Sequence, residues 1–185
     1  MRTPASPLLT VEHALLGFIY ERPAHGYEIY QQLSAPDGLW QVWRLKQAQL
    51  YALLAKLEDN GYILADLQPQ AARPPRKTYT LTDPGRAAFL HWLHSPVGRG
   101  RQMRIEFLAK FYFACRQGPA IADALLAQQT AACEQWLTEL GRQAAAPPQE
   151  MFTYAVQQFR IDQVESFLAW LADCRAHLSE PGCVG

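Results

Sequence analysis

Apolar residues recur at helical spacing along most of the chain, and they alternate in only one region. In TVEHALLGFIYE (10–21), Val11, Ala14, Leu15, Phe18 and Ile19 form one stripe. Thr10 is placed to cap that helix and Pro23 to stop it. A short second helix is predicted over HGYEIYQQLSA (25–35) after a turn at Gly26, with Tyr27, Ile29, Tyr30 and Leu33 available for packing. Pro36-Asp37-Gly38 marks a turn, and Trp40 and Trp43 follow it. In RLKQAQLYALLAKLEDNGYI (44–63), Leu50, Leu53, Leu54 and Leu57 make the stripe of a third helix. Asn60-Gly61 offers it a left-handed stop. YILADL (62–67) and TYTLT (78–82) then alternate as short strands, joined by the proline-rich, basic QPQAARPPRK (68–77), which reads as a loop. A fourth helix is predicted over 82–96, capped by Thr82 or Asp83 with Pro84 in its first turn. Further helices are predicted over 104–117, 119–146 and 151–178. The last carries Phe152, Ala155, Val156, Phe159, Val164, Phe167, Leu168 and Leu171 at apolar positions.

The third helix has an unusual second face. Ala48, Ala52 and Ala55 lie on it, edged by Gln49, Tyr51 and Lys56, where a solvated face usually carries more Glu and Lys. Helix, helix–turn–helix and hairpin in that order make a winged-helix arrangement, in which the third helix enters a DNA major groove. Alanines leave room for approach to base edges and fit a thymine methyl, while Gln47 and Gln49 can bond bases. Lys46 and Lys56 would neutralise phosphates and Tyr51 could donate to one. The loop would be the wing, with Arg73, Arg76 and Lys77 reaching the backbone or the minor groove. Outward alanines also suit a helix packed between two layers, and a basic loop is often merely solvated. It is the order and spacing of these features together that favours double-stranded DNA. The predicted fold is mainly α with a small β-hairpin: a winged helix-turn-helix domain over 1–97 and a helical domain over 98–185.

Composition narrows the picture. Of 185 residues, 49% are hydrophobic and 18% charged, which is a globular composition. Seventeen basic residues balance seventeen acidic ones, so DNA would be met by a compact patch and not by a charged tail. Cys115, Cys133, Cys174 and Cys183 lie far apart and read as free thiols, with a thiol-responsive regulator using Cys115 or Cys133 as a sharper alternative. His13, His25, His91, His94 and His177 make no metal-ligand set, and no cofactor is expected. The apolar N-terminal run is broken by Glu12 and His13, so neither a signal peptide nor a membrane span is expected, and a cytoplasmic location is. No Gly-rich phosphate loop or G-x-S-x-G motif points to an enzyme.

Several motifs stand at a familiar spacing: ALLGFIYERPAHGYEIYQQL, QLYALLAKLEDNGYI and RPPRKTYTLTDPGRAAFLHWL. On these the first ninety-odd residues resemble the PadR family of bacterial transcriptional regulators. In layout, the helical second half resembles the longer subfamily, whose C-terminal helices form a dimer. The sequence departs from the family pattern in three places. Leu45-Lys46-Gln47 stands where Ser or Thr is common, Ala52 where Pro is common, and AARPPRK lacks a wing glycine. The resemblance implies a homodimeric, effector-responsive repressor on a palindromic operator. It also implies a small aromatic effector, for which Trp92, Phe111, Trp136 and Trp170 are candidate lining residues; the same aromatics would serve equally as core or dimer interface. The competing reading is a winged-helix module that docks a protein.

Overall fold

The structure, a computed structural model, describes residues 8–70, 73–144 and 150–178, with the side chains of 68–76 outside that description. The chain divides into two compact units. One comprises Met1–Leu93 with Leu108–Phe113, the other His94–Phe107 with Ala114–Gly185.

The first unit is built on α1 (Thr10–Glu21), β1 (Ala24–His25), α2 (Gly26–Leu33), α3 (Gln47–Asp59), β2 (Ile63–Gln70), β3 (Arg73–Leu81) and α4 (Asp83–Leu93). Thr10 does not cap α1. It is the first helical residue, and the Glu12 carboxylate reaches back to accept the Leu9 N–H at 2.7 Å. Glu28 does the same for the His25 N–H at 2.9 Å, and Gln49 for the Lys46 N–H at 3.1 Å. In all three helices the third residue satisfies a backbone donor that the helix leaves free. α3 ends as its glycine predicts. Gly61 has φ +75°, its N–H bonds the Glu58 carbonyl, and the Tyr62 N–H bonds the Leu57 carbonyl at 3.0 Å.

The sheet differs from a plain hairpin in two ways. Its order is β1-β3-β2, all antiparallel, with Ala24 opposite Tyr79 and His25 opposite Thr78. The segment 68–77 is not a loop for most of its length, because pairing of β2 with β3 continues to Gln70 opposite Arg73, through an irregularity between Gln68 and Gln70. Prolines suggested a loop, but β1 pairs only with 78–79. Consecutive prolines aim their nitrogens at opposite edges of β3, so one of Pro74 and Pro75 faces the edge that β1 leaves open and the other faces β2 beside the irregularity between Gln68 and Gln70. Thr82 caps α4, accepting the Gly85 N–H at 3.2 Å, and its hydroxyl lies 2.7 Å from the Gly61 carbonyl. Gly85 is required here, since a Cβ would stand 2.0 Å from the Tyr62 carbonyl oxygen.

Ala14, Leu15, Leu16, Phe18 and Ile19 of α1 are buried with Ile29, Leu33, Leu50, Leu54, Leu57 and Phe89. Each large side chain so buried contributes about 1.5–3 kcal/mol. Gly17 makes room for this core, because a Cβ would meet the Phe113 and Phe89 rings at 2.6 and 2.8 Å.

In the second unit α6 (Pro119–Gln143) packs on α7 (Met151–Leu178). Leu125, Leu126, Cys133, Val164 and Leu171 are buried, and Arg175 grips Asp123 through two bonds of 2.7 and 3.2 Å. α5 (Leu108–Gln117) is preceded by a π-helical turn, Met103–Phe107, where the sequence pattern predicts plain helix. α4 and α6 end at Leu93 and Gln143, about three residues before the predicted ends.

Candidate nucleic-acid interface

α3 buries Leu50, Leu54 and Leu57 and leaves Ala48, Ala52 and Ala55 exposed. Among the described residues nothing covers that alanine face, so α3 is not sandwiched between two layers of them. Lys46, Gln47 and Gln49 are exposed around its first turn, and Tyr51 is 43% exposed. The Tyr51 ring lies over Gly26, where a Cβ would be 2.6 Å from its Cε1. The His-Gly-Tyr-Glu run thus has a physical account. His25 Nδ1 meets the Lys77 carbonyl at 3.1 Å and ties α2 to the hairpin, Gly26 seats Tyr51, and Glu28 caps. Tyr27 stays 56% exposed, with Gln31 donating to its hydroxyl.

Two of the proposed phosphate ligands are already engaged. Lys56 Nζ lies 2.6 Å from Glu12 Oε1, whose side chain is fully buried. The contact is ionic, off the oxygen's hydrogen-bonding direction. Lys77 Nζ bonds Glu58 at 3.0 Å, and that bond holds its ammonium above the ordinary lysine range. Arg73 and Arg76 have side chains outside the described residues. Glu12 and Glu58 went unread in the sequence because their partners lie 44 and 19 positions away.

The four aromatic effector candidates divide between the two units, Trp92 and Phe111 in the first and Trp136 and Trp170 in the second. Trp92 is 5% exposed in the first unit, stacked on His13 at 5.1 Å with Phe89 and Phe113 at its edges. Phe111 lies half-buried in the same unit. Trp170 meets Phe107 edge to face at 5.8 Å. Trp136 alone of the four lines a cavity of about 570 Å³ in the second unit. Its other lining residues include Arg99, Arg101 and Arg160, which sequence reasoning passed over; the Gly-Arg-Gly-Arg run at 98–101 was the available signal.

Desolvation pushes the thiols of the buried Cys133 and half-buried Cys174 up from their ordinary value, and that of the exposed Cys115 in the same direction; this disfavours the thiolate a redox sensor needs, and Cys183 lies outside the described residues. Among the described residues no group of three His, Cys, Asp or Glu could hold a metal ion, and no helix is long and apolar enough to cross a membrane.

Residues 15–91 match the transcriptional regulator PadR-like family, and residues 103–179 match the virulence activator alpha C-terminal family. The chain is 26% identical to the negative transcriptional regulator PadR of Bacillus subtilis, over 92% of this chain and 98% of that one. Among solved structures, B. subtilis PadR in complex with operator DNA aligns at 26% identity over 92% of this chain and 100% of that one, with a TM-score of 0.44. The same protein in complex with p-coumaric acid aligns at 26% identity over 96% and 99%, with a TM-score of 0.39.

Proposed function

We propose, from the match of residues 15–91 to the PadR-like family and the likeness of nearly the whole chain to B. subtilis PadR, that the chain is a PadR-like transcriptional regulator, an effector-responsive repressor that binds a palindromic operator as a homodimer. The observation that carries the reading is the exposed, nearly uncharged face of α3 beside a three-stranded wing. Ala48 and Ala52 let the helix approach base edges. Gln47 and Tyr51 supply base and phosphate contacts, and Lys46 supplies the first-turn cation. Lys56 and Lys77 reach phosphates only by giving up Glu12 and Glu58. The repressor role follows the B. subtilis relative, which spans nearly the same length.

The homodimer reading is supported by α7. Met151, Phe152 and Phe159 are 77%, 78% and 64% exposed, an apolar face that a second copy would cover. Two recognition helices about 34 Å apart then read two half-sites. The domain division at 97/98 belongs to the same reading, with the winged part contacting DNA and the helical part dimerising.

The test is salt-dependent binding to the DNA upstream of the protein's own coding region, against random DNA of equal length. Tight, salt-steep and selective binding is the expected result. Equal, weak binding on both would favour the protein-docking reading.

A further inference from the structure

The segment 96–102 reads PVGRGRQ and is held at two points. Gln129, fully buried on α6, grips the backbone of Val97: its Oε1 accepts the N–H at 2.8 Å and its Nε2 donates to the carbonyl at 3.4 Å. Val97 itself is buried. Three residues on, Gly100 lies so close to α7 that a Cβ would stand 3.2 Å from Gln163 Oε1 and 3.4 Å from the Phe167 ring. The clamp and the close approach fix the strip between them, with Arg99 and Arg101 on either side of the glycine. They line the cavity of about 570 Å³ together with Arg160 from α7 and Trp136 and Glu139 from α6. That volume suits a two-ring molecule.

The charge of the lining is one-sided. Three arginines face one glutamate, a net +2, and Glu139 is already ion-paired with Arg142. Arg99, Arg101 and Arg160 form no ion pair among the described residues. Like charges round one cavity are relieved by an anion, and guanidinium forks match carboxylate and phosphate oxygens. Trp136, Leu140 and Val164 add an apolar wall for a flat ring.

We propose that this cavity binds a planar aromatic molecule carrying two negative charges. The inference rests on the effector-responsive reading only for its consequence at DNA, because binding itself is measured without DNA. Calorimetric titration of the full chain uses three probes with one ring system: 2,6-naphthalenedicarboxylate, 2-naphthoate and 2-naphthamide. One site per chain is expected, with affinity falling about tenfold from dianion to monoanion and again to the neutral amide. Arg99→Ala with Arg101→Ala should erase the advantage of the dianion and leave the amide unchanged. Trp136→Leu should weaken all three alike, while Arg104→Ala, exposed and outside the lining, should change none. Equal affinities for the three probes, a dianion preference that survives the double arginine variant, or no binding of the dicarboxylate would overturn the proposal. Failure of operator binding would leave this titration's result standing.

Discussion

α3 and α7 each leave one face uncovered, and the two faces have opposite chemistry. α3 shows Ala48, Ala52, Ala55 and the polar Gln47 and Gln49, while the first turns of α7 show Met151, Phe152, Tyr154 and Phe159. A face of small and polar side chains costs little in water and gains by close approach to another polar surface. A face of phenylalanines loses about 1.5–3 kcal/mol per ring by staying wet. The first suits base edges and the second another apolar surface, so the kind of partner can be read from what each helix leaves bare.

The largest expected effect breaks the α7 side. Phe152→Glu with Phe159→Glu should give a monomer in sedimentation at micromolar concentration. It should also lower operator affinity by about a hundredfold, because two linked half-sites become one. A stable dimer in that variant would remove this face from the account. Next, Gln49→Glu sharpens the α3 side. The substituted carboxylate keeps the acceptor that holds the Lys46 N–H, so thermal stability should persist. Losing the amide donor beside a base should cost about 1–3 kcal/mol on the operator and less on random DNA. Equal losses on both DNAs would make Gln49 a capping residue only.

Glu58→Gln has a smaller effect of the opposite sign. It frees Lys77, so the dependence of log affinity on log salt should steepen by about one unit. An unchanged slope would mean that Lys77 never meets phosphate. The smallest effect is a pH dependence. Burial raises the Cys133 and Cys174 thiols above the value of 9.0 of a free thiol, so the folded state holds these protons more tightly than the unfolded chain. Their contribution is complete below that value and is lost as pH rises through the raised range. Melting temperature should therefore fall above about pH 9, and less so in Cys133→Ala.

Local features were legible in the sequence and long-range ones were not. Gly61, Thr82 and the limits of α7 follow from neighbours in the chain, and the structure has them where the pattern puts them. A two-residue strand such as Ala24–His25 is too short to show alternation. Pro74 and Pro75 read as loop because nothing local reveals that β1 leaves one edge of β3 open there and that the β2 ladder on the other edge is irregular. At the interface, the exposed alanines of α3 were visible from periodicity. The fates of Lys56 and Lys77 depended on carboxylates brought in by folding. The cavity was missed because Arg160 comes from α7, about sixty residues beyond Arg99 and Arg101, and because aromatics were weighed above Gly-Arg-Gly-Arg.

In the proposed complex the small face of α3 meets base edges. Ala52→Glu tests it most directly, since an exposed Ala→Glu change in a helix alters stability by less than about 0.5 kcal/mol. Operator and random DNA would be titrated with wild type and variant across salt, alongside melting and sedimentation. Unchanged folding and oligomeric state are expected, with operator affinity down by about a hundredfold from a carboxylate forced against bases and phosphates. Operator binding equal to wild type would contradict that contact.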